Sequence, residues 1–159
     1  MDSDIKVRIV KWNRDRGLLG GFDPAFELKM LSEEANEFYA AESLAHMMAE
    51  YCDFLFVSGG TKAKYYSQKL ESLSLFSLAR EGWVELQDWI NEVRDDMAIL
   101  LYNKFNYKYE DGYDDAVYFA MNTVIANNEL KGSKKINGKI VKSANHIDPV
   151  ITIEKYLNA

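Results

Sequence analysis

Cysteine, proline and histidine are scarce in this chain, and each scarcity removes a class of protein. The single cysteine, Cys52, rules out an internal disulfide and any cysteine-built metal centre. Set in an apolar run, it reads as a small core residue. With only two prolines, helices can run long. No apolar stretch approaches the ~18 residues of a membrane span, and the opening MDSDIKVRIVKW has no signal-peptide core. The expectation is a cytoplasmic protein with no membrane partner. A net charge of −6 argues against a general nucleic-acid binder. Neither His46 nor His146 follows a glutamate by three residues, so the Glu-x-x-His pairs of a ferritin-like di-metal bundle are missing. Repeats and low-complexity tracts are absent too.

The most telling absence lies between Lys29 and Lys62. That interval has no lysine or arginine but carries six carboxylates: Glu33, Glu34, Glu37, Glu42, Glu50 and Asp53. From Leu44 to Val57 the chain is almost wholly apolar, and only His46, Glu50 and Asp53 are ionisable near neutral pH. A carboxylate packed inside a helical core costs several kcal/mol or neutralises itself unless a cation satisfies it. The neighbouring sequence offers no protein cation, which points to a divalent metal ion.

Spacing sharpens this. Glu34 and Glu37 are three apart, as are Glu50 and Asp53. Three residues advance an α-helix by about 300°, so each pair shares one face. If the chain reverses near Ala41–Leu44, Glu37 comes level with Glu50, and Glu34 with Asp53. Four carboxylates then converge between two antiparallel helices, an all-oxygen set suited to Mg²⁺, with Mn²⁺ also fitting. In FELKMLSEEANEF, Leu28, Leu31, Ala35 and Phe38 form an apolar arc, and the acids interrupt that face instead of decorating the solvent side. A solvated acidic face is the plainer alternative, and the apolar flanks argue against it.

The punctuation gives a helical protein of one domain, residues 1–159. In the first segment Ile5, Val7 and Ile9 alternate with Lys6 and Arg8 as in a strand, while Ile5, Ile9 and Trp12 fit a helix; the helix is favoured, with Ser3 as its N-cap and Gly17 past its end. Asp23-Pro24 caps a second, running to about Ala41. A third spans Ser43 to about Val57, where Ser58-Gly59-Gly60-Thr61 reads as a stop, with a helix that continues through it as the alternative. Lys62 to Leu78 and Trp83 to about Phe105 are two further helices, and Asp114 caps another that runs through about Asn128. From Leu130 to Ile147 there is no acid but five lysines: Lys131, Lys134, Lys135, Lys139 and Lys142. Asn137-Gly138 splits this segment into two short runs, as in a tight hairpin. The tail from 130 to 159 thus reads as a mobile basic lobe, with few large apolar residues, beside an acidic site. That pairing suits a polyanionic, metal-bound substrate whose remaining phosphate oxygens are held by lysines.

EEANE at Glu33–Glu37 followed by EYCD at Glu50–Asp53 resembles the EExxE…ExxD signature of the all-α nucleoside triphosphate pyrophosphohydrolases, the MazG-like superfamily. Asn128-Glu129-Leu130-Lys131 and Gly138-Lys139-Ile140-Val141-Lys142 ahead of Pro149 resemble tail motifs of that group. The resemblance covers about residues 24–57 and 114–149, and residues 62–110 match no pattern. It implies an antiparallel all-α helical bundle, assembled as a homodimer or dimer of dimers. The implied reaction is Mg²⁺-dependent cleavage of a nucleoside triphosphate between the α- and β-phosphates. Carried over, Glu34, Glu37, Glu50 and Asp53 are metal ligands, and Glu33 or Glu37 orients the attacking water. Asn128, Lys131, Lys139 and Lys142 grip phosphate. Trp12 is a stacking candidate for the base, although an aromatic at helical spacing is more often a core residue. His46 fits a hydrogen-bonded structural role better than a catalytic one. A non-enzymatic helical module whose acids bind a basic partner is the other reading.

Overall fold

The computed structural model describes residues 3–70, 72–106, 115–141 and 147–159. Its helices are α1 (Ser3–Asp15), α2 (Pro24–Ala40), α3 (Leu44–Ser67), α4 (Leu73–Phe105), α5 (Asp115–Glu129) and α6 (Pro149–Leu157). A two-stranded hairpin, β1 (Lys135–Ile136) and β2 (Lys139–Ile140), sits between α5 and α6. The fold is an all-α helical bundle. Local chemistry explains the helix starts. The Asp23 carboxylate accepts from Ala25 N at 3.1 Å ahead of Pro24, Ser43 accepts from His46 N at 3.1 Å, and Ser72 accepts from Leu75 N at 3.2 Å. Gly17 (φ +65°) and Asn106 (φ 52°) take the left-handed conformation that ends α1 and α4. The Asp114 cap expected for α5 lies outside the described residues.

The central element is α3. It packs on α1, α2, α4, α5 and α6, and Met47, Met48, Tyr51, Cys52 and Phe54 are wholly enclosed. Helices α2 and α3 form an antiparallel hairpin through a turn at 41–43, with Leu31, Ala35 and Phe38 in the core and Leu28 on the exposed edge.

The Ser58–Thr61 stop does not occur; α3 runs through it. Two glycines mid-helix are unfavourable by about 1 kcal/mol each, so a tertiary reason must outweigh that. A Cβ on Gly59 would lie 3.1 Å from Ile9 Cδ1, and one on Gly60 would lie 2.9 Å from Asn13 Nδ2. The glycines are the seat on which α1 lies. The break comes later, between Ser67 and Leu73, so the helix expected over Lys62–Leu78 is divided between α3 and α4. Past the break, Trp83 stacks on Tyr65 (centroids 5.0 Å apart, 13° between planes) and docks α4 on the end of α3.

The basic tail departs most from expectation. The hairpin forms as read, with Lys135 paired to Ile140 and Ile136 to Lys139 around Asn137 (φ 52°) and Gly138 (φ +81°). It does not hang free, because Gly138 presses so closely on Phe26 that a Cβ would come within 2.9 Å of the ring. Beyond it α6, capped by Asp148 ahead of Pro149, packs on α3 and α5. Ile153 is fully enclosed, and Tyr156 stacks on Phe119 at 4.1 Å. Burying each such aliphatic side chain contributes about 1.5–3 kcal/mol. Truncation after Gly132 is therefore expected to lower the thermal midpoint sharply or abolish the cooperative transition, as followed by circular dichroism. An unchanged midpoint would restore the detachable tail.

Candidate metal centre

Helix α2 brings Glu34 and helix α3 brings Glu50 and Asp53 to one point. Each contributes a carboxylate oxygen lying within 4.8 Å of the other two. Glu34 is buried, while Glu50 and Asp53 are half-buried. Three like charges in so small a space repel, and burial removes the water that would screen them. Burial chiefly, then the charges of Asp53 and Glu37, raise the pKa of Glu34 to about 7. Burial chiefly, then Glu50, raise that of Asp53 to about 7, with the Lys131 charge and the Asn128 amide pulling the other way. Next to them the Cys52 thiol is fully enclosed and its pKa is pushed up by burial, as suits a core residue.

The remaining expected residues fall around this trio. Glu37 stays on the exposed side of α2, outside the three, though its charge acts on Glu34, Asp53 and Lys139. Glu33 is exposed and meets Lys139 Nζ at 3.4 Å; the same ammonium lies 3.7 Å from Glu34 Oε1. Partial burial works against the Lys139 charge, but Glu34, Glu33 and Glu37 outweigh it and raise its pKa. The cation missing near the acids in sequence thus arrives from a hairpin about a hundred residues downstream. Asn128 is buried on α5, and its Nδ2 donates to Val124 O at 3.0 Å. Lys142 lies outside the described residues. His46 Nε2 sits 3.1 Å from Glu50 Oε1, a hydrogen bond that orients this carboxylate.

A cleft runs from these acids along α3, between α1, α2, α5 and the hairpin. Its lining includes Trp12, Asn13, Glu34, Asp53, Phe56, Gly60, Lys64, Asn128, Lys131 and Lys139. Trp12 is there as expected, but well buried. Its Nε1 donates to Asn128 O at 2.8 Å, Phe56 meets it edge-on, and the Arg16 guanidinium covers a ring face at 4.3 Å. A free stacking platform is not what the geometry offers; Trp12 is a wall that ties α1 to α5.

Sequence reasoning missed the far end of the cleft. There Glu27, 1% exposed, accepts from Lys64 Nζ at 2.8 Å and from Thr61 Oγ1 at 2.7 Å. The partners are more than thirty residues apart, so no local spacing announces them. Asn13 also went unnoticed, although it belongs to the face of α1 that buries Ile5, Ile9 and Trp12, where a polar amide is out of place.

The donor set fits a hard divalent cation: three carboxylates on two rigid helices, among the described residues, with no thiolate or imidazole in the group. No family model, curated protein or solved structure matches this chain. Among the described residues no helix is long and apolar enough to cross a membrane.

Proposed function

We propose that the chain is a Mg²⁺-dependent nucleoside triphosphate pyrophosphohydrolase of the MazG-like class, releasing a nucleoside monophosphate and pyrophosphate. The observation that carries this reading is the convergence of Glu34, Glu50 and Asp53 opposite the basic groups Lys131 and Lys139 at one end of a cleft. Acids alone would repel a triphosphate, and lysines alone would bind any polyanion. Together they select a phosphate chain that brings its own cation.

Glu34, Glu50 and Asp53 would hold the metal, and Glu37, on the rim of the same helix face, would be the fourth ligand. When bound, Mg²⁺ neutralises phosphate oxygens and acidifies the attacking water. Glu33, exposed beside the cluster, or the outer oxygen of Glu37 would orient the attacking water. Lys139 exchanges its contacts with Glu33 and Glu34 for phosphate oxygens, and Lys131 and the Asn128 amide hold the chain from the α5 side. Lys142 is assigned the same role from sequence alone. Assembly as a homodimer or dimer of dimers belongs to the same proposal. It is supported by the first two turns of α4, where Leu73, Leu75, Phe76 and Leu78 all face solvent.

Hydrolysis in ¹⁸O-labelled water is expected to place the label in the nucleoside monophosphate and none in pyrophosphate, because attack is at the α-phosphorus. Label in pyrophosphate, or orthophosphate as the first product, would reject this mechanism. Absence of Mg²⁺-dependent turnover across all triphosphates would favour the binding module.

A further inference from the structure

Lys131 stands on a stretch with no regular structure of its own. Helix α5 ends at Glu129 and β1 begins at Lys135, so neither helix nor strand geometry aims this side chain. Yet Lys131 lines the cleft, and its charge bears on both Glu34 and Asp53. Something outside the stretch must fix the backbone there.

The C-terminal end of a helix leaves its last carbonyls without intrahelical donors. Helix α5 has no basic residue in its last turn to meet them. The donors come instead from α1 and the residue just past it. Trp12 Nε1 donates to Asn128 O at 2.8 Å, and the same oxygen accepts from Lys131 N at 3.0 Å. One turn on, the Arg16 guanidinium spans the carbonyls that follow. Its Nη2 donates to Lys131 O at 2.6 Å and to Glu129 O at 3.4 Å, and its Nε donates to Gly132 O at 3.2 Å. Its Nη1 turns back to Trp12 O at 3.2 Å, and the group rests over the Trp12 ring at 4.3 Å. Both backbone polar groups of Lys131 are thus held. A planar fork of five N–H donors can meet this set of acceptors, whereas a point-like ammonium cannot span it. Lys139 needs no such support, because Gly138 seats its hairpin against Phe26.

We infer that Arg16 is a positioning residue for phosphate binding, acting through Lys131. Arg16 does not line the cleft itself. By holding the carbonyls of Glu129, Lys131 and Gly132 it keeps the lysine on the cleft side, facing the acids, before a ligand arrives. A phosphate chain then meets a cation already in place, and less ordering accompanies binding. The inference rests on the nucleotide reading above and adds to it the residue that organises the α5 side of the phosphate site.

Titration calorimetry with tripolyphosphate in Mg²⁺ tests it, well below the melting temperature of each variant. Arg16→Lys keeps the charge but loses the fork, and is expected to weaken binding at least about fivefold. Lys131→Met should weaken it at least about tenfold. Adding Arg16→Lys to Lys131→Met should change affinity by less than about twofold, since one residue acts through the other. In a Lys139→Met background the Arg16→Lys loss should persist in full. Arg8 is the control, because it ties α1 to the side chains of Glu129 and Asn122 and not to these carbonyls. Arg8→Met should lower the melting temperature and leave tripolyphosphate affinity within about twofold. Should Arg16→Lys melt too low to measure, Arg16→Gln takes its place in the cycle. Unchanged affinity in the Arg16 variant overturns the inference and leaves Arg16 a structural cap. An equal loss with and without Lys131, or an Arg8→Met loss as large, overturns it too. In these cases a deficit in Lys131→Met still upholds the phosphate assignment. Failure of the wild type to bind tripolyphosphate removes the phosphate reading and this inference together.

Discussion

Adding Mg²⁺ at neutral pH to about a hundred times its dissociation constant is expected to raise the melting temperature by roughly 5–10 °C. Binding at that excess contributes about 2.7 kcal/mol, and a chain of this size gains roughly 2–4 °C per kcal/mol. The stabilisation arises because the cation removes the repulsion among Glu34, Glu50 and Asp53, whose oxygens lie within 4.8 Å of one another. Without metal, pH does part of the same work. Glu34 and Asp53 have pKa values raised to about 7, against roughly 4 for unfolded carboxyls. The folded state therefore binds more protons between those limits, and metal-free stability should fall as pH rises from about 4 to about 7, then level off. Asp53→Asn should flatten this dependence, melt at or above the wild-type temperature without metal and lose most of the Mg²⁺ increment. Its turnover should drop at least about a hundredfold, since it weakens a ligand and removes one negative charge from the site, where loss of a mere supporting partner already costs ~10–100-fold. A melting temperature indifferent to millimolar Mg²⁺ would undo the metal centre itself.

The second large effect is expected at the opposite end of the cleft. Glu27→Ala should destabilise the fold by about 3–5 kcal/mol, the usual cost of removing one partner of a buried ion pair. The variant would strand the Lys64 ammonium, whose side chain is only 10% exposed, and the Thr61 hydroxyl. The double variant Glu27→Leu with Lys64→Met should recover most of the loss, because the charge and its partner then leave together. Urea midpoints of the three proteins decide it. A Glu27→Ala cost under about 1 kcal/mol would mean that the pair is solvated and behaves as a surface bridge.

What the sequence made legible was whatever one helical turn could express. Glu34, Glu50 and Asp53 were readable because spacing of three residues fixes a shared face and because a short turn folds α2 back on α3. The cap at Asp23 was readable for the same reason. Gly59-Gly60 misled because glycine has two uses that look alike in sequence, a helix stop and a close approach, and only the position of Ile9 and Asn13 separates them. Glu37 shares the helical face of Glu34 but lies toward its rim, a difference of depth that periodicity does not carry. Glu27 with Lys64 left no trace, since their meeting depends on how α2 crosses α3. Helix α6 is a different lesson. Asp148-Pro149 repeats the cap-and-proline signal of Asp23-Pro24, so its start was written in the chain and was overlooked because the lysines ahead of it suggested a solvated lobe.

The two halves of the site also have different histories during synthesis. The three acids sit on neighbouring helices, so they meet as soon as residues 24–67 fold. Their basic counterparts depend on distant closures: Trp12 Nε1 to Asn128 O spans 116 positions, and Arg16 to Lys131 O spans 115. Such long-range contacts form late, after the local helical hairpin. While a ribosome is still adding α4 and α5, at about 5–20 residues per second, the emerging chain already presents its acidic cluster and has no means to grasp a phosphate. On the proposed function, a nascent chain would be able to take up a divalent ion seconds before it could engage a nucleotide, and the ion would hold α2 against α3 while the rest of the bundle closes around them.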